Sequence, residues 1–235
     1  MISWYGPVIS AAGSLGCRRS ASPCGILAVL AVAALLAGCA GEQRAEPFAG
    51  YSRTPIRTVA AVSVPAVGGD GDDSFVAQPG GLRLVYFGFT SCPDVCPTTL
   101  SDLRRGLAEL APEERSRVGV DVVTVDPARD QPEVLDDYAS SFIEDATSHR
   151  SDDPEVLRTA VDSFGANYRI TVDSNGDPEV AHSGALYVVD DAGLVVLAWP
   201  FGIPAASIAS DLERLLAGER PSDLSRSGGD HPQAE

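Results

Sequence analysis

Two cysteines separated by three residues are the part of this chain best suited to chemistry. Cys92 and Cys96 follow an apolar run over residues 82–89, which predicts a buried strand. Leucines spaced three and four apart then indicate an amphipathic helix over residues 98–110. The pair therefore lies where a strand passes into a helix, and residues four apart share one helix face. Because a helix N-terminus stabilises thiolate over thiol, we expect the pair to be reactive or metal-binding.

The spacing of the two cysteines leaves two kinds of chemistry open. Thiol-disulfide motifs of the thioredoxin type normally have two residues between the cysteines, whereas three residues separate Cys92 from Cys96. Two thiolates at the longer spacing could bind a metal ion from two sides. Soft thiolates prefer Cu(I), and an added imidazole also suits Cu(II). The only methionine is Met1, so any other soft-metal ligand must be a cysteine or a histidine.

The composition of the chain excludes several classes of function. The 235 residues include 17 basic side chains, all arginine, against 33 acids, which gives a net charge of −16. This charge argues against nucleic-acid binding and against electrostatic docking on anionic lipid. The absence of lysine excludes Schiff-base chemistry and a phosphate-binding lysine. Only two of the five cysteines lie in the globular part, so a framework of structural disulfides is not expected.

The chain divides into four predicted segments. Residues 1–38 resemble an export signal, with an arginine pair before an apolar core that is short for a membrane span. Residues 39–58 are polar and are predicted to be a tether. Residues 59–217 carry the periodic apolar patterns of a folded domain, and residues 218–235 have the composition of a disordered tail.

The end of the first segment carries a modification signal. Leu36-Ala37-Gly38-Cys39 resembles the lipobox of bacterial lipoproteins. This resemblance implies cleavage before Cys39 and a diacylglyceryl group on its sulfur, and an uncleaved N-terminal anchor is the alternative. A terminus with more than one acyl chain holds a protein stably on a membrane. The predicted location is therefore the outer face of the cytoplasmic membrane, with the protein exported and lipid-anchored.

The order of elements within residues 59–217 predicts an α/β fold. The first strand, the first helix and a valine-rich strand over residues 118–125 form a βαβ unit, so the two strands should be parallel with a right-handed crossover. Further elements are expected in this order: a helix over 131–142 with Asp130 as its N-cap, a helix from 154 to 164, a hairpin over 184–199 and a helix over 204–216. Three other segments are expected to be an added N-terminal hairpin (59–77), a region without a clear pattern (142–150) and a polar loop (170–181).

Two motifs in this domain resemble those of one family. The stretch Phe87-Gly88-Phe89-Thr90-Ser91-Cys92-Pro93-Asp94-Val95-Cys96-Pro97 closely resembles the signature of the Sco/SenC proteins, which are thioredoxin-like copper chaperones that serve cytochrome c oxidase. Asp126-Pro127-Ala128-Arg129-Asp130 resembles the DPxRD motif of the same family, and a single histidine opens a late strand pair. The resemblance covers about residues 60 to 217. It implies a thioredoxin-like fold, here with an N-terminal hairpin extension.

The resemblance also implies a set of metal ligands. His182 stands where the ligand histidine of the family stands, so Cys92, Cys96 and His182 are expected to hold a copper ion, as Cu(I) and as Cu(II). Taken alone, a single histidine is more often a surface or capping residue. The composition adds that a soft-metal site here must be built from cysteine and histidine.

Nearby acids are weaker candidates for a supporting role. Asp94 and Asp126 are expected to tune or orient the ligands, although the first would serve equally as a helix cap and the second as part of a loop ion pair. Family members often carry an acid just before the ligand histidine, where this chain has Ala181. Glu179 is the candidate substitute for orienting the imidazole ring.

The resemblance implies a metallochaperone that delivers copper to the dinuclear copper centre of cytochrome c oxidase during its assembly. The alternative is a thiol-disulfide oxidoreductase that reduces the cysteines of that oxidase subunit and is recycled by a periplasmic-type thiol reductant. A third interpretation is a lipoprotein whose scaffold only binds another protein, and it predicts no effect of losing either cysteine. Because the exported compartment is oxidising, Cys92 and Cys96 are expected to form a disulfide when no metal is bound.

Overall fold

The computed structural model describes residues 46–69 and 73–221. Four apolar runs form the inner strands of its six-stranded sheet. The strands are β1 (Arg57–Thr58), β2 (Leu82–Gly88), β3 (Val118–Thr124), β4 (Thr147–His149), β5 (Tyr168–Val172), β6 (Pro178–His182), β7 (Leu186–Val189) and β8 (Leu194–Trp199). The sheet order is β1-β8-β7-β2-β3-β4, with β2, β3 and β4 parallel and β7 antiparallel to β2. β5 and β6 form a separate hairpin.

Helices cover this sheet. They are α1 (Val95–Glu109), α2 (Pro112–Arg115), α3 (Pro132–Phe142), α4 (Pro154–Phe164) and α5 (Ala205–Leu216). α1 packs against α5 at Gly106, where a Cβ atom would lie only 2.9 Å from the carbonyl oxygen of Ala205. Asp153 caps α4 by accepting a hydrogen bond from the N–H of Glu155, and Gly165 ends that helix with a positive φ. The predicted α/β order is confirmed.

An aromatic cluster supports the end of β2 that leads into the cysteine loop. Phe87 and Phe164 meet edge-on with ring centroids 5.2 Å apart, and Phe164 meets Tyr187 at 5.4 Å. All three side chains are buried. Each ring contributes about 1.5–3 kcal/mol of burial free energy, and edge-on pairing adds about 0.5–1.5 kcal/mol. Buried aromatic packing therefore holds the end of β2 in place just before the cysteine loop.

The segment predicted as a polar loop, 170–181, is instead occupied mostly by the β5–β6 hairpin. The turn between the strands contains Gly176, whose φ is positive. Most residues of both strands are exposed. The sequence of β5 does alternate, with Tyr168, Ile170 and Val172 separated by polar residues, so the loop prediction was wrong because it missed this strand signal.

The segment before β2 also differs from the expected hairpin. Ser63 and Ser74 pair through a single isolated bridge, and no regular strand pair forms within the described residues of this segment. Val64 and Phe75 are nevertheless fully buried. The segment is attached by packing and by backbone hydrogen bonds, such as that from the N–H of Val67 to the carbonyl oxygen of Ser148 (2.8 Å). Its Ala66 bridges to the edge strand β4, which lies in the region where the sequence showed no clear pattern.

The start of the folded unit lies inside the predicted tether. Asp211 of α5, which is 2% exposed, accepts hydrogen bonds from the N–H groups of Ala49 (3.1 Å) and Gly50 (2.9 Å) and from the indole N–H of Trp199 (2.8 Å). The unit that contains the sheet accordingly begins at Pro47, earlier than the predicted domain start. The signal segment, Cys39 and most of the predicted tail lie outside the described residues. No helix in the described ranges is long and apolar enough to cross a membrane.

Candidate metal centre

The cysteine loop joins β2 to α1. α1 begins at Val95, so Cys96 lies in the first helical turn and Cys92 lies just before it. The N–H of Cys96 donates to the Sγ of Cys92, with N and S 3.3 Å apart. Cys96 is fully buried, whereas Cys92 is half-buried. The Cys92 sulfur therefore lies beside the start of the helix and accepts a backbone hydrogen bond there.

The sulfur of Cys96 is buried beside the ring of Tyr86 and the imidazole of His182. Burial raises the pKa of the Cys96 thiol to about 12, so this sulfur keeps its proton near neutral pH until a bound cation compensates for the lost solvation. Gly88 leaves the space that this sulfur needs, since a Cβ there would lie 3.1 Å from Cys96 Sγ and 2.8 Å from a ring carbon of Tyr86. Burial also raises the pKa of the Tyr86 phenol, which therefore stays neutral beside the sulfur.

His182 at the end of β6 presents one ring nitrogen to the sulfurs. Its Nε2 lies 3.5 Å from Cys96 Sγ, and its Nδ1 lies 3.0 Å from the main-chain oxygen of Ser183. A carbonyl oxygen only accepts hydrogen bonds, so Nδ1 carries the proton and Nε2 keeps a free lone pair. Burial lowers the pKa of His182, which favours the neutral imidazole that a metal ion requires.

The ligand atoms of Cys92, Cys96 and His182 all lie within 4.8 Å of one another. Within residues 46–69 and 73–221 this is the one group of three metal-ligating side chains that converges so closely. Metal–sulfur bonds of about 2.3 Å and metal–nitrogen bonds of about 2.0 Å are compatible with donors at these separations. The structure thus brings together the three predicted ligands, and two thiolates with one imidazole form a donor set for a soft or borderline ion.

The two acids predicted to support the ligands have different partners in the structure. Asp94 occupies the N-cap position of α1, but its side chain makes no capping hydrogen bond to the helix backbone, and its Oδ1 lies 3.4 Å from the hydroxyl of Thr98. Asp126 is 2% exposed and forms an ion pair with Arg129. A tuning role for either acid stays a prediction.

Two further assignments from the sequence need correction. Asp130 is not the N-cap of α3, because Gln131 holds that position; the Asp130 carboxylate binds Thr90 of the cysteine loop instead. The partner of the His182 Nδ1 is the carbonyl of Ser183, so Glu179 is not needed to orient the ring. Neither contact has a sequence signal, because both depend on how loops approach one another.

Two aromatic side chains that line the site were not predicted from the sequence. Phe89 and Tyr86 meet the His182 ring edge-on, with centroids 5.6 Å and 6.2 Å away. Both belong to β2 or to the residue just after it, within the run that was interpreted only as a buried strand. Tyr86 and Phe89 are three residues apart, so alternation along a strand would not have placed them on one side, and the sequence carries no signal for this pair.

Comparison with known proteins identifies the family. A family model described as SCO1/SenC matches residues 75–217. The chain belongs to the SCO1/SenC family. Among curated SCO1/SenC-like proteins, the chain is 36% identical over 114 residues to a "Putative copper-binding protein" of Stutzerimonas stutzeri, covering 48% of this chain and 55% of the relative. It is 32% identical over 116 residues to a "SCO2-like protein" of Rickettsia felis, covering 48% and 56%. The matches therefore span about half the length of these relatives.

Solved structures of the SCO1/SenC family share the fold. The apo Sco1 protein of Thermus thermophilus superimposes with a TM-score of 0.59 at 32% identity, covering 73% of this chain and 99% of that one. ScoI of Bradyrhizobium japonicum, solved with copper bound, gives a TM-score of 0.57 at 26% identity, covering 65% and 96%. The predicted thioredoxin-like α/β fold of the SCO1/SenC proteins is therefore confirmed for this chain.

Proposed function

We propose that this protein binds one copper ion through Cys92, Cys96 and His182 and delivers copper to the copper-bearing subunit of cytochrome c oxidase during assembly. The observation that carries the proposal is the convergence of two sulfurs and one imidazole nitrogen within 4.8 Å. Two thiolates favour Cu(I), and the imidazole extends the site to Cu(II). Copper is therefore cargo that the protein holds in either oxidation state.

Family relatives support the copper part of the proposal. The Stutzerimonas relative is named as a putative copper-binding protein, and the Bradyrhizobium protein was solved with copper bound. Delivery to the oxidase rests on membership of the family. The exposure of the site fits a carrier, since Cys92 and His182 are only half-buried and incoming ligands of a partner can reach the ion from that side.

Copper titration of the reduced protein tests the site. The test uses a background in which the cysteines outside the site are replaced by alanine, namely Cys17, Cys24 and Cys39. We expect one copper per chain, and Cys92→Ser or Cys96→Ser should abolish binding at stoichiometric metal. His182→Ala should weaken Cu(II) binding by more than about 100-fold, because even the loss of an outer partner of a ligand costs about 10–100-fold. Its effect on Cu(I) should be smaller.

Spectroscopy of the Cu(II) form gives the independent readout. The unsubstituted protein should show sulfur-to-copper charge transfer, and His182→Ala should change that spectrum. An unchanged spectrum in His182→Ala would remove this histidine from the site. Delivery is then measured by mixing copper-loaded protein with the metal-free soluble domain of the oxidase subunit and following formation of its dinuclear centre. Equal loading by free copper at the same concentration would contradict delivery.

The unequal burial of the two sulfurs favours a second function, thiol-disulfide exchange. Half-buried Cys92 would attack a disulfide of the oxidase subunit, and buried Cys96 would then resolve the mixed disulfide. The protein's dithiol is oxidised to a disulfide while the partner disulfide gains two electrons and two protons. A periplasmic-type thiol reductant must return the pair to the dithiol. Copper loading then also depends on that reductant, because a disulfide offers no thiolate.

Substitution of His182 separates the two functions. If exchange is active, His182→Ala should still reduce a disulfide-bonded peptide with the copper-site sequence of the oxidase subunit, whereas Cys92→Ser should not. Peptide reduction by Cys92→Ser at the unsubstituted rate would contradict the exchange function. Cu(I) titration of the oxidised protein before and after reduction tests the dependence on reductant, and equal binding by both forms would contradict it.

The site of action follows from the predicted lipid at Cys39. We propose that the protein is anchored through this residue at the outer face of the cytoplasmic membrane, on the basis of the Leu36-Ala37-Gly38-Cys39 ending. Mass spectrometry of the protein from membranes should find Cys39 as the N-terminal residue with a diacylglyceryl group. An unmodified Cys39 in the mature protein would contradict the anchor, and Cys39→Ala should release the protein from the membrane.

A further inference from the structure

The loop of residues 126–130 between β3 and α3, called the DPARD loop below, contacts both halves of the candidate metal centre. Its main chain is braced by Arg150, whose Nε donates to the carbonyl oxygen of Asp130 at 3.0 Å and whose Nη2 donates to that of Pro127 at 3.0 Å. Two side chains of the loop then reach in different directions. Asp130 reaches the cysteine loop, and Arg129 reaches the hairpin that carries the histidine.

Asp130 holds the start of the cysteine loop. Its carboxylate is fully buried and accepts hydrogen bonds from the N–H of Thr90 (3.0 Å), the hydroxyl of Thr90 (2.6 Å) and the hydroxyl of Thr124 (2.6 Å). Hydrogen bonds to an ionised acceptor are stronger than those between neutral groups. Thr90 lies two residues before Cys92, so the carboxylate fixes the path of the backbone into the first sulfur.

Arg129 acts on the imidazole side. Its Nε donates to the nearly buried carboxylate of Asp126, and its Cζ lies 5.7 Å from the ring centroid of Phe89. Its Nη1 lies 3.5 Å from the carbonyl oxygen of Pro178, the first residue of β6. β6 ends at His182, whose ring meets Phe89 edge-on at 5.6 Å. One guanidinium therefore contacts both the strand that carries the imidazole and the ring that packs against it.

We propose that the DPARD loop positions the two kinds of copper ligand separately, with Asp130 fixing the thiolates and Arg129 fixing the imidazole of His182. This inference rests on the proposed copper site. Asp126 serves it indirectly, because it holds the guanidinium and touches no ligand in the contacts described above. The loop thereby sets the affinity of the site for Cu(I), which depends mainly on the sulfurs, and its affinity for Cu(II), which also depends on the imidazole.

Arg129→Lys is the decisive variant. Lysine keeps a positive charge beside Asp126 but loses the planar group that stacks on Phe89 and reaches Pro178. We expect Cu(II) affinity to fall about 10–100-fold, the usual range for an outer partner of a metal ligand. The Cu(II) charge-transfer spectrum should move toward that of His182→Ala, while Cu(I) affinity stays within about threefold.

The chain offers a matched control for this substitution. Arg214 also pairs with an acid, Glu219, at 2.9 Å and lies over an aromatic ring, that of Phe48, at 4.0 Å, but at the start of the folded unit. Arg214→Lys should therefore change neither copper affinity. Equal losses of Cu(I) and Cu(II) binding in Arg129→Lys, no loss of either, or the same loss in Arg214→Lys would each overturn the role of Arg129.

Asp130→Ala tests the thiolate side. Affinities for Cu(I) and Cu(II) should both fall about 10–100-fold, because both ions need the sulfurs. Asp211→Ala is the matched control, since Asp211 is also buried and also accepts three hydrogen bonds, but from Ala49, Gly50 and Trp199. Copper affinity of folded Asp211→Ala should be unchanged. A selective loss of Cu(II) in Asp130→Ala, or equal losses in both variants, would overturn the role of Asp130.

Thr90→Val covers the case in which Asp130→Ala does not fold. Valine has nearly the shape of threonine and removes one hydrogen bond to Asp130 while the N–H bond remains. Cu(I) affinity should fall by more than about threefold, and unchanged affinity would count against the proposal. Unsubstituted protein and His182→Ala are measured alongside. If the unsubstituted protein does not bind copper, the proposed function itself is contradicted. If it binds copper normally but the substitutions in and around the DPARD loop leave copper affinity unchanged, only this inference is contradicted.

Discussion

The two histidines in the described part of the chain are used in opposite ways. His149 is fully buried on β4, with Nδ1 2.8 Å from the carbonyl oxygen of Val64 and Nε2 2.8 Å from the carboxylate of Asp121. Arg83 forms an ion pair with the same carboxylate. Both ring nitrogens of His149 therefore face oxygen atoms of the protein, and neither is open to a metal ion.

His182 differs in one hydrogen bond. Its Nδ1 faces a carbonyl oxygen, as in His149, but its Nε2 faces the sulfur of Cys96 instead of an oxygen acceptor. The difference teaches that burial alone does not distinguish a structural histidine from a candidate metal ligand. What decides is whether the fold leaves one ring nitrogen without an acceptor and places soft donors around it.

The largest effect is expected from His149→Ala. This change leaves the Asp121 carboxylate buried with one partner fewer and opens a cavity beside Phe75, whose ring centroid is 5.1 Å from that of His149. Truncating a buried aromatic ring to alanine costs about 3–5 kcal/mol. We expect urea unfolding to show a loss of this size, while folded molecules bind copper as before. A loss of copper affinity without a loss of stability would reverse the two histidine roles.

A smaller effect is expected from Gly88→Ala, which tests the sulfur that faces His182. The added methyl group would lie 2.8 Å from Tyr86 and 3.1 Å from Cys96 Sγ, so neighbours must move. Overpacking of this kind costs about 1–3 kcal/mol. Thermal unfolding should show the loss, and Cu(I) affinity should fall with it. Gly119→Ala is the control, because a Cβ there meets nothing closer than 3.7 Å. Equal stability of both variants would show that Gly88 is not required for packing.

His182→Ala should change stability less than either. The side chain is half-buried, and its hydrogen bond to the carbonyl oxygen of Ser183 contributes about 0.5–1.5 kcal/mol. Because burial lowers the pKa of His182, its charged form contributes little to the folded state near neutral pH. Urea unfolding without metal should therefore shift by about 1 kcal/mol or less. A shift as large as that of His149→Ala would mean that His182 is also a structural residue.

The smallest effect concerns the turn of the hairpin that carries His182. Hydrogen bonds from the backbone N–H groups of Asp177 and Asn175 lower the pKa of Asp173. A carboxyl with a lowered folded pKa stabilises the turn above its unfolded pKa, and this contribution is lost as pH falls through the folded pKa. In an NMR titration the two amides should move below pH 3.9, the ordinary value for aspartate. A midpoint at or above that value would contradict the turn geometry.

The sequence predicts those features of the molecule whose signals are local in the chain, and it misses those that depend on distant residues. The βαβ unit and the cysteine loop were predictable because their apolar runs are buried and their spacing is local. The role of His149 was not, since its partners Asp121 and Val64 are 28 and 85 residues away in the chain. β4 was missed for a related reason, because a three-residue strand that contains serine and histidine shows no period.

The candidate site divides in the same way. Cys92 and Cys96 were predicted from their own positions at a strand–helix junction, whereas His182 needed the family resemblance. The contacts of Asp130 and Arg129 could not be predicted, because they run from one loop to a loop 40 residues earlier and to a strand 49 residues later. Supporting residues of a site are generally non-local and are therefore visible only in the folded chain.

Asp211 holds Ala49 and Gly50 on the folded unit by hydrogen bonds. Only the short stretch of chain before them therefore limits how far the site can move from an anchor at Cys39. With lipid on Cys39 as proposed, nine virtual bonds link the anchor to Phe48, which span at most about 32 Å at about 3.6 Å per residue. A protein anchored in this way would search a thin layer above the bilayer for its partner, not the whole compartment. Confinement of two membrane-bound partners to one layer raises their effective concentration, as a short linker does. A copper carrier held in this way can meet a membrane-embedded oxidase often while the number of carrier molecules stays small.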